Sequence, residues 1–410
     1  MSADTLVKYQ YVVRDRSGKT VGGVLDAHDQ AAVSAKLREM GYAPVSITPI
    51  KDSALQKELT LPGFGGSKVK LADLAVFSRQ FSTMINSGVS LIRSLNILAD
   101  QTDSKRLAEI IIEVRDGVEQ GRSLSACMAE HEEFPKIFIA MVKAGETAGI
   151  LDQVLVRVAE TMEKDLELRR KIKSALTYPV VVLLMAVGLT IAMLVFVVPT
   201  FVGMFESLGG ELPLPTKVLL LLSAAVTKLW YVLVFLPVAA MQGFKHARKN
   251  PAMRFQMDRL KLKLPVFGNL FHKLALSRFA RTFGSLLKAG VPILSALEIT
   301  ADTVNNGVMG NAINDVKTAV KEGQSVAGPL ATHAVFPPMT VQMLAVGEET
   351  GAMDTMLEKI SDFYDQEVTA TTESLTALLE PLMIGLLGGI VGAMVVALYM
   401  PMFKVFDLIQ

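Results

Sequence analysis

Apolar residues between Leu71 and Ile85 fall at three- and four-residue steps, and Leu74, Phe77, Phe81, Met84 and Ile85 lie on one face, which predicts a helix. Asn86-Ser-Gly88 ends it, and Ser90 stands where the cap of the next helix, Leu91 to Gln101, belongs. Helical stretches follow over about 104–120, 123–131 and 135–146, with Ser123 as a cap and Pro135 in a first turn. The pattern breaks between Gly145 and Gly149. A last long helix starts near Asp152, carries Leu155, Val158, Ala159 and Met162 on one side, and runs through Arg169-Arg170-Lys171. The period therefore predicts an all-helical bundle of about six helices over 71–178.

This bundle and the apolar run behind it occur twice. Residues 77–201 match 279–403 without a gap, at the single offset 279 − 77 = 202. Phe77-Ser-Arg-Gln-Phe81 answers Phe279-Ala-Arg-Thr-Phe283, and His131 with Phe134-Pro135 answers His333 with Phe336-Pro337. Gly145, Glu146 and Gly149 answer Gly347, Glu348 and Gly351. Pro179 opens an apolar run closing at Pro199-Thr-Phe201, and Pro381 opens one closing at Pro401-Met-Phe403. Glycines and prolines in step over such a length mark a duplication.

Ahead of the repeat, Tyr9–Val13 alternates as a strand, Asp15-Arg-Ser-Gly18 is turn chemistry, and Thr20–Leu25 reads as the returning strand. A helix from Gln30 to Met40, capped by Asp29 and stopped by Gly41, is expected to turn Ala31, Ala32, Leu37 and Met40 inward. Pro44–Ile50 gives a third strand. This makes a small ββαβ module over 1–52, joined by a glycine-rich linker over 53–70.

Three apolar runs have the length that crosses the roughly 30 Å hydrocarbon layer. The expected organisation is a first bundle at 71–178, a span at 179–205, a short loop at 206–217 and a second span at 218–244. A second bundle follows at 245–378, then a third span at 379–405 and a tail at 406–410. Within the second run Lys228 adjoins Trp230 and Tyr231, interface residues, so its membrane part is set at about 226–244 and Lys228 is read as a snorkelling lysine. Basic residues (Lys164, Arg169, Arg170, Lys171 and Lys173) precede the first span, and Lys245, Arg248, Lys249 and Arg254 follow the second. Positive charge marks the cytoplasmic side, so both bundles are expected in the cytoplasm and the C-terminus outside.

Composition narrows the function. With 41 Lys and Arg against 40 Asp and Glu the chain is almost neutral, and nothing in it points to nucleic acid. Cys127 stands alone, which fits polar domains in a reducing compartment, and the first residues lack the pattern of a cleavable signal peptide. Gly18-Lys19-Thr20 lacks the earlier glycine of a phosphate loop, because Val13 stands there, and a strand follows it instead of a helix. His131 and His333 read as helix-end residues, and no metal ligand set or nucleophile–base pair is apparent. No cofactor and no catalysis are expected.

Two features remain specific. The Gly-Glu-x-x-Gly turns (Gly145, Glu146, Gly149; Gly347, Glu348, Gly351) permit tight reversals, each carboxylate capping the next helix or holding bundle to bundle, or subunit to subunit, through a basic partner or a cation. The third span carries Gly385, Gly388, Gly389 and Gly392 at small-xxx-small spacing, which suits close helix packing. The first and third spans hold no charged residue, which argues against a solute path and so against a transporter. A membrane-anchored signalling scaffold would need an effector or sensor domain.

Taken together, Phe77–Val89 and its second copy, both Gly-Glu-x-x-Gly turns, Tyr178-Pro179, Phe196-Val-Val-Pro199, Leu208–Pro215 and Leu379-Glu380-Pro381 resemble the inner-membrane platform proteins of type IV pilus and type II secretion machines, the F family. The close, Tyr399-Met-Pro401-Met-Phe403-Lys404, is nearer the pilus branch, with the secretion branch as the alternative. The resemblance implies a non-enzymatic scaffold in the bacterial inner membrane. It implies as partners a hexameric cytoplasmic assembly ATPase, pilin or pseudopilin subunits, other inner-membrane assembly proteins and further copies of the chain.

Overall fold

The computed structural model describes residues 7–14, 20–27, 30–39, 43–49, 69–206, 213–247, 250–265 and 267–408, and divides the chain into two compact units, Met1–Ser67 and Lys68–Gln410.

In the first unit β1 (Val7–Arg14), β2 (Thr20–Ala27), α1 (Gln30–Glu39) and β3 (Ala43–Pro49) follow in that order. The sheet is antiparallel with order β2-β1-β3, Tyr9 opposite Leu25, and the β1–β3 register shifting between Val12 and Val13. The buried stripe of α1 is Val33 and Leu37, four residues apart, while Ala32 is exposed. The expected inward face was thus misjudged by about one residue, and β-branched Val33 carries it. The expected hairpin turn, the caps Asp29 and Gly41, Met40 and all but the last two residues of the linker lie outside the described residues.

In the second unit the first copy is α2 (Leu71–Asn86), α3 (Leu91–Gln101), α4 (Lys105–Glu119), α5 (Leu124–Ala129), α6 (Lys136–Ala148) and α7 (Leu151–Ala192). A π-turn (Met193–Val197) leads into α8 (Val198–Glu206). Next come α9 (Leu214–Lys228), α10 (Trp230–Ala247) and α11 (Pro251–Lys263). The second copy is α12 (Phe267–Lys288), α13 (Ile293–Thr303), α14 (Gly307–Lys321), α15 (Ala327–Ala331), α16 (Pro338–Thr350) and α17 (Met353–Leu408). Left-handed glycines recur at the 202-residue offset: Gly88, Gly121 and Gly149, then Gly290, Gly323 and Gly351. Of the expected caps, Ser123 accepts from the Ala126 amide, whereas the Ser90 side chain makes no capping bond.

The two bundles share one continuous core, in which Phe77, Phe81, Phe134 and Phe138 of the first copy and Phe279, Phe283 and Phe336 of the second are packed. Ring centroids lie 6.0 Å apart for Phe77–Phe134 and 5.0 Å for Phe279–Phe336, so the repeated phenylalanines make the same contact twice. One exchange keeps the copies different. Phe138 and Met162 fill the first core, while their counterparts Thr340 and Tyr364 meet as a hydroxyl pair at 3.0 Å. Two polar groups replace two apolar ones together, which leaves neither hydroxyl orphaned.

Pro179 and Pro381, where the two apolar runs open, each lie inside a continuous helix, α7 or α17. A proline removes one N–H from the ladder and frees the carbonyl four residues back. For Pro179 that carbonyl belongs to Ala175, and the Thr376 hydroxyl of α17 reaches it at 3.5 Å. Among the described residues, two stretches are long and apolar enough to cross a membrane, Leu151–Gly203 and Met353–Pro401. The expected second span is a pair of helices, α9 and α10, bent by 68° at Leu229, which qualifies only if the pair is taken as one span. Lys228 ends α9 at that bend. The expected loop at 206–217 is shorter at its far end, because α9 already begins at Leu214 with Pro215 in its first turn.

Candidate functional site

In a chain whose expected work is mechanical, the candidate site is the set of joints that hold its helices. The first joint is the glutamate turn. At the end of α6, Gly149 takes φ 70°, its N–H donates to the Glu146 carbonyl, and the Ile150 N–H donates to the Gly145 carbonyl at 3.0 Å. Only glycine adopts that left-handed geometry without a Cβ penalty. Gly145 answers a different demand: a Cβ there would stand 2.9 Å from Val154 Cβ, and at Gly347 one would stand 2.9 Å from Met356 Cγ. The helix thus continues past Gly145 to Ala148, and the break is confined to Gly149-Ile150.

The carboxylates act on the helix behind them. Glu146 accepts from the Leu124 amide and from the Ser125 amide at 3.1 Å, with the Ser125 hydroxyl as a third donor. Glu348 accepts from the Val326 amide at 2.7 Å and the Ala327 amide at 3.1 Å. Each therefore holds the positive end of a short helix, α5 or α15, whose amides have no partner of their own. The expectation that they cap the following helix misses this, because the contact lies 21 and 22 residues back along the chain. Neither has a basic side chain as hydrogen-bond partner, and no group of three or more His, Cys, Asp or Glu suited to a metal occurs among the described residues.

The second joint ties the start of each copy to its long helix. Arg79 grips Glu163 with two nitrogens, Nε at 2.7 Å, and Arg281 grips Asp365 in the equivalent place. Arg79 and Glu163 are 41% and 42% exposed, whereas Arg281 is 6% exposed. The Arg79 guanidinium holds the Glu163 carboxyl below the usual carboxylate range. Each histidine of the repeat also faces an acid, His131 toward Glu113 and His333 toward Asp315, both at 3.6 Å. The third joint links the copies: Lys136 to Asp302 at 2.6 Å, Lys164 to Asp362 at 2.9 Å, and Thr161 to Ser285 at 3.1 Å.

The fourth joint lies in the apolar end. Val198 N–H donates five residues back to the Met193 carbonyl, and Pro199 has no N–H, so the Leu194 carbonyl loses both possible helical donors. The Ser223 hydroxyl of α9 supplies the bond at 2.6 Å. Pro401, the repeat partner of Pro199, frees the Ala397 carbonyl in the same way, and the Thr216 hydroxyl donates to it at 2.6 Å. Both hydroxyls are buried, and Leu194, Val198, Leu219, Met394, Ala397 and Leu398 close around them. Sequence reasoning passed over Thr216 and Ser223; two hydroxyls seven residues apart on one face of an apolar helix were the available signal. At the other glycines singled out, Gly385, Gly388, Gly389 and Gly392, no described atom beyond the helix's own neighbouring backbone lies within 4 Å of the Cβ position.

The two copies coincide with two matches to one known family. The model of the family "Type II secretion system (T2SS), protein F" matches residues 77–199 and again 279–401, and that of its N-terminal domain matches 6–48. The type IV pilus assembly protein PilC of Myxococcus xanthus is 41% identical over 98% of this chain and 96% of its own length. PilC of Thermus thermophilus is 42% identical over 97% of this chain and 98% of its own. The type II secretion system protein F of Xanthomonas campestris is 32% identical over 97% and 98% respectively. The chain belongs to the type II secretion system protein F family.

Proposed function

We propose that the chain is the inner-membrane platform of a type IV pilus assembly machine, a non-enzymatic scaffold coupling a cytoplasmic assembly ATPase to pilin extraction and fibre growth. The observation that carries this reading is the duplicated unit itself, in which each copy leads from a polar bundle into an apolar helix. Its likeness to proteins named for type IV pilus assembly extends over nearly the whole chain. In this reading α9 and α10 together form a third span, both bundles and the N-terminal α+β module are cytoplasmic, and the C-terminus is outside. The basic residues flanking the first two spans support that orientation.

The module and the first bundle engage the hexameric ATPase, and the apolar helices meet pilins and other inner-membrane assembly proteins. The open glycine face of α17 takes a helix of another copy, in a dimer or higher assembly. Glu146 and Glu348 keep each bundle stiff enough to pass on movement. A secretion platform is the second reading, supported by the full-length likeness to proteins named type II secretion system protein F. Binding of the host's pilus assembly ATPase to the purified full chain in nanodiscs tests the coupling. Saturable binding, weakened when residues 1–67 are removed, is expected; binding unchanged by the truncation would take the module out of the interface.

A further inference from the structure

Between the copies lies a cavity of about 310 Å³, walled by α7 on one side and by α12 and the α13–α14 connection on the other. Small-ligand sites occupy about 300–1,000 Å³. Its charged lining consists of Arg169, Arg278 and Arg281 with Asp165 and Asp302, one positive charge in excess. The acids are already engaged: Asp165 with Arg169 at 3.0 Å, Asp302 with Lys136. Arg281 spends one nitrogen on Asp365, and its Nε and Nη1 have no partner although its side chain is 6% exposed. Arg278 makes no hydrogen bond or ion pair with any described residue. Burial pulls its guanidinium below the ordinary range, with Arg169 and Arg281 pushing the same way and only Asp165 opposing.

The repeat shows that this is an addition. The counterpart of Arg278 in the first copy is Val76, on the surface and 55% exposed, so the shared fold does not require an arginine there. The two buried, unspent donors of Arg281, with the half-buried Arg278 beside it, are costly to keep together unless something negative joins them. Thr282 and Asn305 add a hydroxyl and an amide to the wall, and Asn305 sits there at φ 55°.

We propose that this inter-copy cavity binds a phosphate-type oxyanion, held by Arg278 and Arg281 with Arg169 at the rim. Guanidiniums suit it because their planar fork meets two oxygens at once. Because the residues come from both copies, the bound anion fastens one bundle to the other. Arg169 precedes Pro179 by ten residues, about 15 Å along a helix. A lipid headgroup and free phosphate are therefore two sources of the same chemistry.

The test uses the full chain in phosphatidylcholine nanodiscs, unfolded thermally while inorganic phosphate is titrated against chloride at matched ionic strength. The expected result is a saturable rise of Tm with phosphate for the wild type. In R278Q the affinity falls by about tenfold or more, as for loss of one charge-assisted contact. Without phosphate, R278Q is at least as stable as the wild type, which a purely structural arginine would not allow. Should R278Q fail to fold, the ³¹P line of phosphate is followed on the wild type alone. Broadening that sulfate relieves and chloride does not supports the site, and no broadening overturns it. A Tm rise in phosphatidylglycerol discs that R278Q loses, with no response to phosphate, assigns the oxyanion to the headgroup. Equal responses of wild type and R278Q to both sources would overturn the proposal.

Discussion

The Thr216 hydroxyl donates to the Ala397 carbonyl at 2.6 Å, and that carbonyl is the one Pro401 deprives of its helical donor. Ser223 serves the Leu194 carbonyl, which Pro199 and the π-turn leave open. One helix that is not part of the repeat thus answers a backbone defect present in both copies, and so binds the π-turn ahead of α8 to the apolar end of α17. In hydrocarbon there is no water to take over either bond.

T216V should therefore destabilise the chain by about 0.6–1.7 kcal/mol, from the average to the largest value measured for hydrogen bonds between membrane helices. In a P401A background, where the substitution restores an N–H to the ladder, the same change should cost close to nothing. A double-mutant cycle of unfolding in mild detergent reads the coupling. Equal costs in both backgrounds would remove Pro401 as the reason for the contact.

The glutamate turns make a second prediction. E348A orphans two amides at the start of α15 and should cost about 2–3 kcal/mol, while E146A, which also strands the Ser125 hydroxyl, should cost more. Glutamine at either position keeps one acceptor and should recover part of the loss. Chemical denaturation of the four variants checks the order. A smaller loss for E146A than for E348A would contradict the assignment.

The two arginine pairs should separate by burial. R79M removes a half-exposed partner and should cost no more than about 1 kcal/mol. D365N leaves the Arg281 charge buried without its counterion and should cost about 3–5 kcal/mol. The comparison is by thermal unfolding at one pH and salt concentration, and similar losses would mean that Arg281 reaches water.

Acid should weaken the fold through Glu163 and Glu130, whose carboxyls the Arg79 and Arg122 guanidiniums hold below the usual range. Their folded-state pKa is depressed, so their contribution is complete above the unfolded value, about 4.3, and is lost as pH falls through the lower folded values. E163Q should be less stable than wild type near neutrality and converge with it in acid. A gap that widens with acidity would reverse the sign.

The repeat, the helices and the left-handed glycines were legible because each depends on local chemistry that recurs at a fixed offset. Phe77 and Phe279 announce the core, and Gly149 and Gly351 announce the turns. What escaped depends on contacts across the chain. Glu146 reaches back to Leu124, a choice the turn itself does not encode. The 68° bend falls at Leu229, between Lys228 and Trp230, where no proline or glycine marks it. Helix α11 was not foreseen either; its Asp258 is 1% exposed and accepts from the Gly307 amide at 3.0 Å, capping a helix 49 residues on. Pro179 and Pro381 mark where the apolar runs open, but not how their helices continue through them: a proline is tolerated in an apolar helix when a neighbour such as Thr376 meets the freed carbonyl.

The central proposal is that this chain is a platform for pilus assembly, and deleting its gene in the host tests it most directly. Surface pili are counted by electron microscopy while secreted proteins are compared in parallel, with the intact gene restored as control. Loss of pili with secretion unchanged is the predicted result. Normal piliation with secreted proteins retained inside the cell would contradict the pilus assignment and transfer the chain to the secretion machine.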